Sequence, residues 1–258
     1  MADPETLVLD RDGAVLTVTL SRPERKNALN TQMAVELLDL FGTVAFDEDV
    51  RVLVLTGAGD AFCSGADLGS LTPDTHGLAH MRELHRVAQT LHDLPQPTIA
   101  RINGVAAGAG LNLALGCDLT VASTEARFSE IFARRGLSTD FGGAWLLPRL
   151  VGLHRAKELA LLAEVLPASE AERLGLVNKV VPPAELDTAV AEWAQRLAAG
   201  PPIALAQTKR MLNRSVETSW EAMLDQESTA QTVNFSTKDM AEAMRAFFEK
   251  RDPTFEGR

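Results

Sequence analysis

The sequence predicts an α/β fold built on a largely parallel sheet, and three observations predict it. Short β-branched runs alternate with stretches of helical periodicity through the first half of the chain; two glycine-rich loops directly follow strands; and beyond about residue 150 the pattern turns mostly helical. With 258 residues, 46% of them hydrophobic, the chain is long enough to bury a real core.

The runs 7–10 and 15–20 flank Arg11-Asp12-Gly13, whose Asp-Gly pair signals a hairpin. A helix then starts at Thr31, because Met33, Leu37, Leu38 and Phe41 fall at helical spacing and Asn30 or Thr31 can cap the first turn. Residues 50–55, "VRVLVL", are a short apolar run ending in Thr-Gly-Ala-Gly, a buried strand opening onto a loop. The cycle repeats with a helix over 80–94, Pro95 and Pro97, and a strand over 98–102. Next comes "GVAAGAGLNLALGCD", a loop running into a buried helix whose only uncharged polar side chain is Asn112, and then a strand over 118–122. Strand, helix, strand at this spacing implies right-handed crossovers, with ligands at the carboxyl ends of the strands. The remainder reads as helices over 155–163, 184–199, 202–214, 219–235 and 238–250, interrupted by a short strand near 176–181, and has the look of an interface.

The formal net charge is -10 and no Lys/Arg run makes a basic face, which argues against nucleic acid or an anionic membrane as partners. An anionic ligand must be held by local cations. Cys63 and Cys117 are the only cysteines, in a chain too large to depend on one staple, so a reducing, cytoplasmic setting is expected. The start, "MADPE", lacks an apolar signal segment, and no apolar run is long enough to cross a bilayer.

The first glycine loop is "TGAGDAFCSGADL" (56–68) and the second "INGVAAGAG" (102–110). Both put small residues after a strand, where backbone N–H groups can approach a ligand closely. Two such groups converging on a carbonyl oxygen would form an oxyanion hole, although on spacing alone loop glycines are more simply turn-formers. The second loop is neither a dinucleotide fingerprint nor a P-loop, since no Lys follows its last glycine, and Ser64 lacks the glycine a hydrolase elbow needs at position 62. His76 and His80 have the spacing of metal ligands, but no third ligand accompanies them, and no metal is expected.

Five segments in order, "SRPERKNALN" (21–30), "FCSGADL" (62–68), "INGVAAGAG" (102–110), "LPRLVG" (147–152) and "EAMRAFFEKRDPTF" (242–255), resemble the enoyl-CoA hydratase/isomerase (crotonase) family over almost the whole length. The resemblance implies a crotonase-like ββα spiral over 1–195, followed by a helical C-terminal region, 196–258, for trimerisation and completion of the active site. It implies a homotrimer or dimer of trimers and an acyl-CoA substrate, with coenzyme A entering as part of that substrate and no separate cofactor. It assigns the oxyanion donors to the backbone N–H groups of Ala66 and Ala109, where 109 departs from the family's usual glycine. It places the substrate against Arg25, Lys26, Asn27, Ala28 and Leu29, against Asp67 and Leu68, and beside Gly108, Asn112 and Phe132. Phe247 and Lys250 match positions that reach the nucleotide from a neighbouring subunit, although Lys250 equally suits the dipole at a helix end.

Hydratases of that family use two glutamates, and the matching positions here hold Asn112 and Phe132. An amide does not exchange a proton as a carboxylate does. In "GLSTDFGG" (136–143), Asp140 matches an aspartate of some isomerase and dehalogenase-like members, which usually follows a proline where this chain has Thr139. A single carboxylate, raised in pKa by an apolar pocket, suffices to move a proton between C2 and C4 of an enoyl thioester. Asp140 equally reads as a cap for a helix starting at Gly142 or Gly143, and Asn112 as an amide satisfying nearby backbone. Glu130 becomes the second glutamate only if the register slips; Asp67 reads as a loop anchor and Asp118 as a structural hydrogen-bonder. The reading is therefore an enoyl-CoA isomerase, with a hydratase using Glu130 and a silent acyl-CoA binding protein as alternatives. The acyl group is expected against 69–77, where Leu71 and Pro73 with nearby Leu78 suggest an apolar lining.

Overall fold

A strand that is apolar at every position must be covered on both faces, and period-2 alternation sends its side chains to two different cores. The strand Val52–Gly57 is buried throughout: Leu53 and Leu55 join one apolar cluster, Val52 and Val54 another. A computed structural model, describing residues 4–70 and 77–258, shows how the rest of the chain is wound around it.

The chain opens with β1 (Leu7–Asp12) and β2 (Val15–Leu20), an antiparallel pair whose register joins Asp12 to Val15. The turn is thus Gly13-Ala14, with Gly13 at φ 58°, one step beyond the Asp-Gly signal, and β1 keeps Arg11 and Asp12 as strand residues. Helix α1 (Thr31–Val44) is capped by Asn30, whose side chain accepts the Met33 N–H at 2.9 Å. Three windings follow. The first is β3 (Val52–Gly57), β4 (Ala61–Cys63) and α2 (Gly77–Asp93); the second is β5 (Thr98–Ile102), β6 (Val105–Ala107) and α3 (Ala109–Leu115). The third is β7 (Leu119–Ser123), β8 (Arg127–Ser129), a 3-10 turn at Ile131–Arg135 and α4 (Gly143–Val151). Each winding gives one strand to a six-stranded sheet, ordered β1-β2-β3-β5-β7-β10, and one to a four-stranded sheet, ordered β4-β6-β8-β9. After α4 the chain continues through α5 (Leu153–Leu162), β9 (Leu166–Pro167), α6 (Ala168–Arg173) and β10 (Lys179–Val181), β9 and β10 each forming an edge of its sheet. All pairings are parallel except β1 with β2 and β8 with β9.

This is the ββα spiral expected from the resemblance. The small sheet, made of two- and three-residue strands, and helix α6 have no counterpart in the periodicity reading. α7 (Leu186–Ala198) lays Leu186, Ala189 and Val190 on the Val52/Val54 face, so the division expected at 195/196 falls inside this helix. α8 (Pro202–Arg214), α9 (Trp220–Phe235) and α10 (Lys238–Glu249) complete the chain. Among the described residues, no helix is long and apolar enough to cross a membrane.

Candidate active site

The two glycine loops interlock, and only glycine permits the approach. A Cβ on Gly110 would sit 2.3 Å from the Cys63 carbonyl oxygen, and one on Gly65, already at φ 104°, would sit 2.9 Å from the Ala107 carbonyl oxygen and 3.7 Å from the Ala109 nitrogen. Residues 26–29 lie along the first loop: Leu29 N–H donates to Gly65 O, Asp67 N–H donates to Leu29 O, and Ser64 N–H donates to Lys26 O. Gly65 C=O and Asp67 N–H therefore face Leu29, which turns the Ala66 N–H between them the other way. Ala109 opens α3 after Gly108, which adopts φ 52° and anchors its own N–H on Ser129 O at 2.8 Å. A first-turn N–H has no partner within its helix. Two outward-turned amides are thus held close together by loop packing.

Asn27 acts as a peg for the first loop. At φ 55° and fully buried, it accepts Arg22 N–H at 2.9 Å and donates to Ala58 O and Ala61 O, both at 2.8 Å. Its amide is spent inside the protein, and Ala28 and Leu29 are also buried, so exposed Arg25 and Lys26 are the side chains of this segment that face solvent. Asp67 pairs with Arg22 at 2.8 Å and accepts Gly69 N–H, the anchoring role expected of it, while Leu68 is exposed. Asp118 accepts the Thr98 N–H and pairs with Lys209, both at 2.7 Å.

The candidate acid and base positions lie across α3. The Phe132 ring packs on Gly108, 3.5 Å from where a Cβ there would stand. Asn112, 1% exposed, donates Nδ2–H to the Asp140 backbone oxygen at 2.9 Å, and leaves Gly143 no room for a side chain: a Cβ there would sit 2.3 Å from Nδ2. Asp140 does not cap α4. The cap position is Gly142 at φ 86°, with no side-chain cap bond, and only the Asp140 carbonyl accepts, from Gly143 N–H. The Asp140 carboxyl, with a buried Oδ1 lacking a partner, is raised in pKa by burial, which the charge of His85 on α2 partly offsets. Glu130, 2% exposed, is pushed up to about 8, chiefly by burial and further by the Asp140 charge, while Asn112 and Thr139 facing it oppose the rise. His85 is a neighbour of Asp140 that the sequence does not mark, and Glu130 is one it offers only as an alternative acid should the register slip.

A cavity of about 890 Å³ lies between α2, α4 and α8, and meets this site at Asn112, Phe141 and Gly142, with Leu91, Leu113 and Trp145 among its walls. Ala66 and Ala109 stand outside it. Of the segment expected to line the acyl group, Leu71 and Pro73 lie outside the described residues, as does His76, and Leu78 is exposed on α2. Phe247 is 73% exposed on α10, and Lys250 follows the helix at φ 55°. No cluster of potential metal ligands occurs among the described residues.

Residues 10–258 match the family model described as Enoyl-CoA hydratase/isomerase. The chain is 38% identical over 250 residues to the 1,2-epoxyphenylacetyl-CoA isomerase of Escherichia coli, covering 95% of each. It is also 38% identical over 248 residues to the short-chain-enoyl-CoA hydratase of Clostridium acetobutylicum, again covering 95% of each. The crystal structure of an enoyl-CoA hydratase from Bacillus anthracis superposes with a TM-score of 0.94 at 32% identity, covering 98% of this chain and 100% of that one.

Proposed function

The chain belongs to the enoyl-CoA hydratase/isomerase family, a family of acyl-CoA enzymes, and from that premise we propose that it is an enoyl-CoA isomerase working through an enolate. The Ala66 and Ala109 N–H groups hold the thioester oxygen as it gains negative charge, an effect worth roughly 3–4 kcal/mol for one such donor. The Asp140 carboxylate takes a proton from C2 or C4 and returns it to the other carbon. Negative charge passes from the carboxylate to the thioester oxygen and back, so one titrating group completes the cycle.

The observation that carries this reading is the state of Asp140. Its carboxyl is half-buried, not consumed by capping, and raised in pKa by burial, which brings it toward the neutral range where a proton shuttle is most effective. The two positions where the family's hydratases hold glutamates are occupied by an amide fixed to backbone and by a phenyl ring. The E. coli relative, named an isomerase, supports the same class of reaction. We further assign CoA to the Arg25/Lys26 side of the first loop, and contacts between three or six copies to the C-terminal helices. Leu212, Trp220, Phe235 and Phe248 expose apolar surface there that a monomer would leave in water.

The test is mass spectrometry after incubation in heavy water with 2-enoyl- and 3-enoyl-CoA thioesters. A shifted double bond with deuterium at C2 or C4 and no added water is expected, and Asp140→Asn should lower kcat by about 10²–10⁴-fold. Net water addition would replace the isomerase by the hydratase reading, with Glu130 as its acid. Exchange into neither thioester, with tight acyl-CoA binding, would leave a silent binding protein.

A further inference from the structure

We propose that Glu130 is a positioning residue for Asp140, acting through a hydrogen bond from its carboxylic acid O–H to Asn112 Oδ1. The inference rests on the isomerase reading for the role of Asp140, and on geometry for the rest. Four buried oxygens gather at this point without a partner: Asn112 Oδ1, Glu130 Oε1, Glu130 Oε2 and Asp140 Oδ1. Buried acceptors left unpaired are costly, and an ionised Glu130, although the Asn112 amide and Thr139 face it, brings no donor for Asn112 Oδ1 or Asp140 Oδ1. A proton on Glu130 supplies the missing donor. A carboxylic acid and a primary amide then pair face to face, the acid O–H on the amide oxygen and one amide N–H on the acid carbonyl. The other amide N–H is already committed to the Asp140 backbone oxygen at 2.9 Å.

The chain of contacts therefore runs from Glu130, before the 3-10 turn, through Asn112 on α3, to the peptide that carries Asp140. Gly143 makes it rigid, since the amide occupies the space where a side chain would stand. Of the groups that face Glu130, Asp140 is the titratable one and Asn112 and Thr139 are neutral; His85 faces Asp140 from α2. The burial that pushes the Glu130 carboxyl up to about 8 agrees with a proton retained at neutral pH. Above that pH, ionisation sets a carboxylate against Asn112 Oδ1 and against Asp140, and the peptide loses its anchor.

Two measurements on the full chain decide this. In protein labelled with ¹³C at the glutamate carboxyls, one resonance should titrate near pH 8 and vanish in Glu130→Gln. In double-bond-shift kinetics, kcat should fall above about pH 8 with KM little changed. Glu130→Gln, which still donates to Asn112 and cannot ionise, should keep most of kcat at pH 7 and lose that alkaline fall, whereas Glu130→Leu should lose about tenfold or more in kcat. A Glu130 titrating in the ordinary carboxylate range, or a Glu130→Leu enzyme matching wild type, overturns the proposal. The resonance needs no substrate, so it reads the pairing even where Asp140→Asn retains activity and the isomerase reading itself fails.

Discussion

Glu130 titrates on the fold as well as at the site. Its carboxyl ionises at an ordinary value of 4.5 when free and at about 8 when folded, so between those values the folded chain keeps a proton that the unfolded chain has released. The stability this group contributes is complete below the lower value and drains away as pH rises through the window, by about 1.4 kcal/mol per pH unit. Denaturant titrations at pH 5 and pH 8 should therefore show wild type losing several kcal/mol more than Glu130→Gln over the same interval. Equal losses in the two proteins would mean that burial does not perturb this carboxyl. Asp140 pulls in the same direction, since burial raises it too, which makes Asp140→Asn the natural companion variant. Neither effect is visible in the sequence, because nothing in "FSEIF" or "STDFGG" tells that two carboxyls from separate segments meet over one amide.

At the scale of elements, the site depends on two loops held face to face by glycines that close approach requires. Gly110 tests this cleanly, because its φ is not the obstacle; the Cys63 carbonyl, 2.3 Å from an added Cβ, is. Gly110→Ala must push β4 and α3 apart, which should cost about 1–3 kcal/mol in denaturant unfolding and reduce kcat more steeply than the stability loss alone. An unaffected variant would show that the loops yield without moving the Ala66 and Ala109 amides. The elements legible beforehand are those with a full period to read: α1 with its Asn30 cap, β5, and α8, whose observed bounds match the expected ones. β4, β6 and β8 are three residues each, shorter than the span over which alternation can be counted, so only the family resemblance implied a second layer. The alternative reading of Asp140 as a helix cap is not what forms. Gly142, at φ 86°, takes the cap position itself, and the Asp140 carboxyl stays outside the cap.

On the whole molecule, the difficulty is electrostatic: a chain of net charge -10 must hold a CoA thioester that carries several negative charges of its own. The long-range field opposes binding, so affinity has to come from cations placed near the phosphates. Arg25 and Lys26 are exposed on one side, although Lys26 already has Asp60 at 3.8 Å. Lys250 stands at the end of α10, beside Phe247 and Phe248, whose rings are exposed and in edge-to-face contact. If the neighbouring subunit completes the nucleotide site through Lys250, its charge matters for CoA esters and not for pantetheine esters, which lack the nucleotide. Lys250→Asn makes the comparison without backbone strain, since Asn tolerates the left-handed conformation that Lys250 adopts at φ 55°. An exposed charge-assisted contact is worth about 1 kcal/mol, so KM for the CoA ester should rise about fivefold while KM for the pantetheine ester holds, with kcat unchanged for both. Equal KM values for wild type and variant with the CoA ester would return Lys250 to the simpler role of a cation at a helix end, and leave the nucleotide to Arg25 and Lys26.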